Sequence, residues 1–228
     1  MMNPEKVTIV RTNRKSILIR ILANEIIQVR APLGTTDDYI FQLLQKRDDR
    51  IQALLDNYRR NHRQHSFTEG SSIPLMGKPI TLQYMENCPY LWRLAMSTLY
   101  INKDYVNQLD IVMKDFYQER AKYLIKRCHE LAVQHHFIKV KVSTRWNKRR
   151  WGSYSSRMSL SLNCALIMAP PEVIDYVIVH EYCHSLHPNH SKAFWKSVEM
   201  IVPDYRIHYA WLRDNSHILH LLDPITQS

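Results

Sequence analysis

HEYCHSLHPNH, residues 180–190, carries four histidines and one glutamate in eleven positions. The run leading into it, APPEVIDYVIVHEYCH at 169–184, reads as a helix entered through prolines, which a first turn tolerates. On that helix His180 and His184 stand four residues apart and share a face. Both imidazoles can then reach one Zn²⁺ at ~2.0–2.1 Å. Glu181 is offset by about 100°, beside such an ion, where a carboxylate can take a proton from water. That is the logic of metal-assisted hydrolysis by H-E-x-x-H. Twelve histidines and nine glutamates in 228 residues predict about 0.02 such pentapeptides by chance. The bland alternative is a histidine-bearing amphipathic helix with no metal.

A catalytic zinc needs a third protein ligand and one open position. His187 continues the helical stripe, but Pro188 disfavours helix at the residue before it, so the helix is expected to end near Leu186. His190 then follows a turn and can approach from a second direction, which suits a tetrahedral ion. Glu199 on the next helix is the carboxylate candidate. Geometry favours His190 over Glu199 and His187, and leaves His187 as a rim residue or a hydrogen-bond donor to a ligand.

Working outward, 6–31 alternates as two or three strands, and a helix is expected from about 36 to 64. Strand-like segments fill 67–101, and apolar spacing predicts one helix from 107 to 136. KVKVST at 139–144 and MSLSLN at 158–163 read as strands, with two helices in SKAFWKSVEMIV and DYRIHYAWLRDN. No internal repeat is visible. The expected division is a β-rich region with one long helix over 1–105 and a second region over 106–228, together one compact unit.

A composition 45% hydrophobic can bury a sizeable core. Four glycines and no glycine-rich phosphate motif argue against a nucleotide loop. Four scattered cysteines, with no C-x-x-C pair, point to a reduced, cytoplasmic chain. Charges interrupt the N-terminal run before a signal sequence can form, and no stretch approaches the ~20 apolar residues of a membrane span. No membrane partner is expected.

The flanks of the histidine cluster carry a resemblance. Arg150-Trp151-Gly152-Ser153, Asn163, Pro170-Pro171, His180 to His184, and Asn189-His190-Ser191 with Phe194-Trp195 together resemble the YgjP-like zinc metallopeptidases, relatives of the SprT and WLM metalloproteases. RKSILIRILANEIIQVRAPLGTTDDYI and IPLMGKPITLQY look like that family's N-terminal strands, so about residues 6–222 are covered. The resemblance implies an α+β fold: a zincin-like core, with a mixed sheet and an H-E-x-x-H helix, plus an N-terminal β-rich region. It implies Zn²⁺ on His180, His184 and His190, Glu181 as general base, and a protein or peptide substrate. Tyr154 stands where the family usually has cysteine, which puts inferences about packing near that strand in doubt. Trp151, Phe194 and Trp195 are expected to pack in the core.

For the oxyanion, Tyr205 and His208 are candidates by chemistry, though surface or packing roles suit them as well. The formal charge of +10 supports a competing reading, a basic nucleic-acid-binding module with a structural metal site. STRWNKRRWGSYSSR carries Arg145, Lys148, Arg149 and Arg150, with Trp146, Trp151 and Tyr154 as stacking platforms. YRRNHRQH at 58–65 is a second basic stretch. Nonspecific nucleic-acid association is compatible with the peptidase reading.

Overall fold

The computed structural model describes residues 6–21, 25–61, 67–220 and 222. The chain divides into two compact units, Met1–Gln64 and His65–Ser228, each with its own buried cluster. The division falls at 64/65, where sequence had suggested 105/106. Ile73, Ile80, Leu82, Leu99 and Ile101 share a core with the later helices, which assigns strands 72–102 to the second unit.

The first unit pairs β1 (Val7–Thr12), β2 (Leu18–Ile21) and β3 (Ile27–Pro32) in the order β1-β3-β2. Alternation along β3 turns Ile27, Val29 and Ala31 inward. Ile40 and Leu44 of α1 (Asp37–Lys46) and Ile51 and Leu55 of α2 (Asp48–Asn61) complete that core. One helix was expected across this span. It breaks at Arg47, with φ −117°, because Lys46 suits a helix end while Asp48 and Asp49 suit a first turn. The basic stretch at 58–65 lies outside the described side chains.

The second unit opens with β4 (Ser72–Leu75), β5 (Lys78–Met85), β6 (Trp92–Ala95) and β7 (Thr98–Asn102), ordered β4-β5-β7-β6. Next come α3 (Leu109–Arg120) and α4 (Lys122–Gln134), two helices where one was expected, joined at the buried Ala121. β8 (Lys141–Arg145), β9 (Gly152–Ser155) and β10 (Ser159–Asn163) form a second sheet, β8-β10-β9. α5 (Pro171–Cys183), α6 (Lys192–Ile201) and α7 (Tyr205–Asp214) follow. The architecture is mixed α+β, and no described helix is long and apolar enough to cross a membrane.

A motif recurs that the sequence does not display. In all three sheets a strand pairs in parallel with the second arm of the hairpin that follows it, giving β1-β3-β2, β5-β7-β6 and β8-β10-β9. The two copies in the second unit agree in strand register and loop length but not in the hairpin turn, which spans residues 96–97 in one and 156–158 in the other. Met85 pairs with Asn102 and Arg145 with Asn163. The loops 86–91 and 146–151 are equally long, and lead to Trp92 opposite Ile101 and Gly152 opposite Leu162. Met96 (φ 52°) and Met158 (φ 56°) hold the hairpin turns in the left-handed region. Each copy ends in a buried asparagine that clamps its loop. Asn102 Nδ2 donates to the Cys88 carbonyl at 2.9 Å. Asn163 Nδ2 donates to the carbonyls of Asn147 and Arg150 at 2.5 and 3.0 Å.

Candidate metal centre

α5 is buried on nearly every side, through Val173, Ile174, Val177, Ile178, Val179 and Cys183 among others, so its end is held firmly. Pro171 at the first helical position costs no hydrogen bond there. After Cys183 the turn tightens, with His184, Ser185 and Leu186 donating to carbonyls three residues back at 3.2, 2.9 and 3.1 Å. The chain then reverses through Pro188 into α6. Ser191 caps α6 by accepting from the Phe194 N–H at 3.3 Å, which sets His190 at the mouth of that helix.

The reversal brings three histidines together. His190 Nε2 lies 3.1 Å from His180 Nε2, and one ligand atom from each of His180, His184 and His190 lies within 4.8 Å of the others. Phe194, fully buried, packs beneath all three rings at centroid distances of 4.9, 4.6 and 4.8 Å. Trp195 stacks on His190 at 5.6 Å. The Phe-Trp pair thus packs as expected, against the histidines themselves.

Burial pushes His180 down to about 3, with the neighbouring imidazoles adding to the effect. Burial lowers His184 as well, against the opposing pull of the His187 carbonyl. Neutral imidazoles present lone pairs. His184 Nδ1 lies 3.1 Å from the His187 carbonyl oxygen; a carbonyl only accepts, so Nδ1 holds the proton and Nε2 keeps its lone pair. Three imidazole nitrogens on two chain directions are a donor set that fits zinc.

Glu181 is 7% exposed. Burial raises its carboxyl to about 7, opposed by the Tyr154 backbone N–H and the charge of Arg150. The space for it is made by Gly152, where a Cβ would lie 2.8 Å from both Glu181 Cγ and Oε1. Tyr154 therefore serves Glu181 through its backbone, and the identity of its side chain does not enter that contact.

The other sequence candidates stand apart. His187 Nε2 lies 3.1 Å from Ser197 Oγ, which ties the turn to α6. Glu199 accepts from Arg206 at 3.1 Å, outside the histidine cluster. Tyr205 stacks on Trp195 at 5.1 Å, and His208 sits 3.5 Å from Asp204; neither is among the described residues lining the cleft beside Glu181. That cleft measures about 1340 Å³. Its walls include Arg149 and Arg150, Tyr176 one turn before His180, and Tyr209 and Arg213 of α7. The two tyrosines were not singled out from sequence. Position four before His180 marked Tyr176, whereas nothing in the spacing marked Tyr209. Trp146, Trp151 and Tyr154, the stacking platforms of the competing nucleic-acid reading, are half-buried against the core, the packing expected of Trp151.

A family model described as YgjP-like, metallopeptidase domain, matches residues 15–215. The chain belongs to the YgjP-like family. The YgjP-like match takes in the three histidines, Glu181 and Gly152, and reaches from the first unit past the end of α7. It supports a metal-dependent peptidase in general terms. No curated protein matches the chain. Among solved structures, the metallopeptidase zymogen of Methanocaldococcus jannaschii jannalysin is similar at 16% identity, over 39% of this chain and 94% of that one, with a TM-score of 0.34.

Proposed function

We propose that this YgjP-like protein is a cytoplasmic zinc-dependent peptidase with a zincin-like catalytic core. His180, His184 and His190 hold the ion, and Glu181 is the general base. The observation that carries this reading is the meeting of three imidazoles beside a buried carboxylate at an open cleft. When bound, zinc supplies Lewis acidity, making water more acidic and polarising a peptide carbonyl. Glu181 takes a proton from the attacking water at Oε and delivers it to the leaving amine. Burial raises the Glu181 carboxyl, which favours its taking up a proton. Gly152 leaves the carboxylate room, and the Tyr154 N–H orients it. The His187 carbonyl fixes the ring of His184.

The test joins metal analysis to hydrolysis of a broad peptide library. Glu181→Gln is expected to retain one zinc and lose at least a hundredfold in rate. His190→Ala is expected to lose zinc. A Glu181→Gln protein that cleaves at the wild-type rate sinks the base assignment. Full metal in His190→Ala would return Glu199 or His187 to consideration.

A further inference from the structure

We propose that Arg149 and Arg150 form a carboxylate-binding subsite of this cleft, selecting peptides that carry an acidic group close to the scissile bond. The inference deepens the peptidase reading and rests on it for the word scissile. Three arginines line the cleft, Arg149, Arg150 and Arg213, against one acid, Glu181. Arg213 is engaged by Asp214 at 2.8 Å. Arg149 and Arg150 are exposed, and no salt bridge holds either of them among the described residues.

Their loop is built to hold them still. Asn163, 2% exposed, donates to the carbonyls of Asn147 and Arg150. The Asn147 side chain accepts from the Arg149 N–H at 2.8 Å. Backbone fixed on both sides lowers the entropy lost when a guanidinium closes on a ligand. Arg150 is also two residues from Gly152, whose backbone meets the Glu181 side chain, so the subsite lies next to the proposed base.

The sister copy of the motif shows what the scaffold itself requires. Its loop has the same length and is held by an asparagine at the same position, there through the Cys88 carbonyl alone, and Pro89 and Tyr90 stand at the positions of Arg149 and Arg150. The clamp and the turn need no positive charge. The arginines occur in the copy that borders the cleft. A guanidinium matches a carboxylate in a two-pronged geometry that a lysine cannot reproduce. The carboxylate can come from an Asp or Glu side chain or from a peptide's free C-terminus.

Fluorescent decapeptides with one Glu, Gln or Lys, amidated at the C-terminus, are titrated by anisotropy into the zinc-loaded, full-length Glu181→Gln protein. The Glu peptide is expected to bind about tenfold more tightly than its Gln analogue, as two exposed charge-assisted pairs allow. Adding Arg149→Ser and Arg150→Ser should abolish that ratio, while Arg93→Ser, an exposed position outside the cleft lining, should preserve it. Zinc content checks that each variant is folded. A Gln peptide with a free C-terminus that gains as much as the Glu peptide assigns the subsite to the terminal carboxylate; no gain assigns it to side chains. Equal binding of Glu and Gln peptides overturns the proposal, as does a ratio that survives the double Ser variant. So does arginine-dependent binding of a single-stranded oligonucleotide without any Glu preference. Hydrolysis by wild type is scored separately. Cleavage of the same peptides with no Glu preference sinks the subsite alone; a Glu preference in binding with no cleavage of any peptide sinks the peptidase reading and leaves the subsite standing.

Discussion

Gly152 occupies, register for register, the place that Trp92 fills in the sister motif: one pairs with Leu162, the other with Ile101. Trp92 packs edge-on against Phe116 of α3 at 5.1 Å, whereas Gly152 is empty so that Glu181 of α5 can enter. Gly152→Ala would put a methyl 2.8 Å from the carboxylate stem and displace it. The expected result is a fall in kcat of at least tenfold with zinc content unchanged, checked by steady-state kinetics beside metal analysis. The same burial has a cost in stability. A carboxyl at about 7 in the folded chain, against an ordinary 4.5, binds more proton folded than unfolded between those values. The contribution of this carboxyl is therefore full below pH 4.5 and is lost as pH rises through 7, while the buried His180 contributes in the opposite sense. Glu181→Gln removes that loss, and urea unfolding of the chelated proteins should show the variant gaining about 3 kcal/mol on wild type between pH 4 and pH 8. An offset that does not change with pH would refute the effect.

At the scale of elements, α5 is legible in sequence because its proline entry, its apolar body and Pro188 beyond it all mark boundaries. The meeting of His180, His184 and His190 is legible for the same reason: helical spacing gives two, and the proline forces the turn that returns the third. The break at Ala121 is not legible, and the one at Arg47 is marked only by the switch from Lys46 to Asp48 and Asp49. Apolar residues continue at helical spacing across both, from Ile40 and Leu44 to Ile51 and Leu55, and from Phe116 through Leu124 to Leu131, so periodicity sees one helix each time. Nor does spacing show what fixes α5 laterally. Arg127 of α4 grips Asp175 of α5 through two bonds of 2.7 Å, with both side chains about three-quarters buried. Arg127→Ala leaves a carboxylate that is about three-quarters buried unpaired and should cost about 1–3 kcal/mol in denaturant unfolding. Arg127→Lys should recover less than half of that, since one ammonium cannot span both oxygens as the guanidinium does.

At the scale of the molecule, one strand-and-hairpin motif is used three times among the described residues. The second unit shows how a copy acquires chemistry: the frame is kept and what projects from it is changed. The shared frame is hidden in sequence because it survives as little more than Leu99, Ile101 and Asn102 set against Leu160, Leu162 and Asn163, a pattern that any two buried strands might show. The packing of β9 on α5, which brings Gly152 against Glu181, joins residues far apart in sequence and leaves no local signal. The two asparagines separate frame from chemistry. Asn102 and Asn163 are 8% and 2% exposed, and each accepts from a backbone N–H two residues on, at 3.0 and 3.1 Å, while its amide holds the loop. Replacing either by alanine removes these bonds and should cost about 1–3 kcal/mol. The functional outcomes should differ. Asn102→Ala releases a loop carrying Pro89 and Tyr90, and kcat/KM at a temperature where the protein stays folded should be unchanged. Asn163→Ala releases the loop that carries Arg149 and Arg150 and leads into Gly152, so kcat/KM should fall at least tenfold at the same loss of stability. Equal kinetic losses in the two variants would mean that the frame, and not the loop it holds, sets activity.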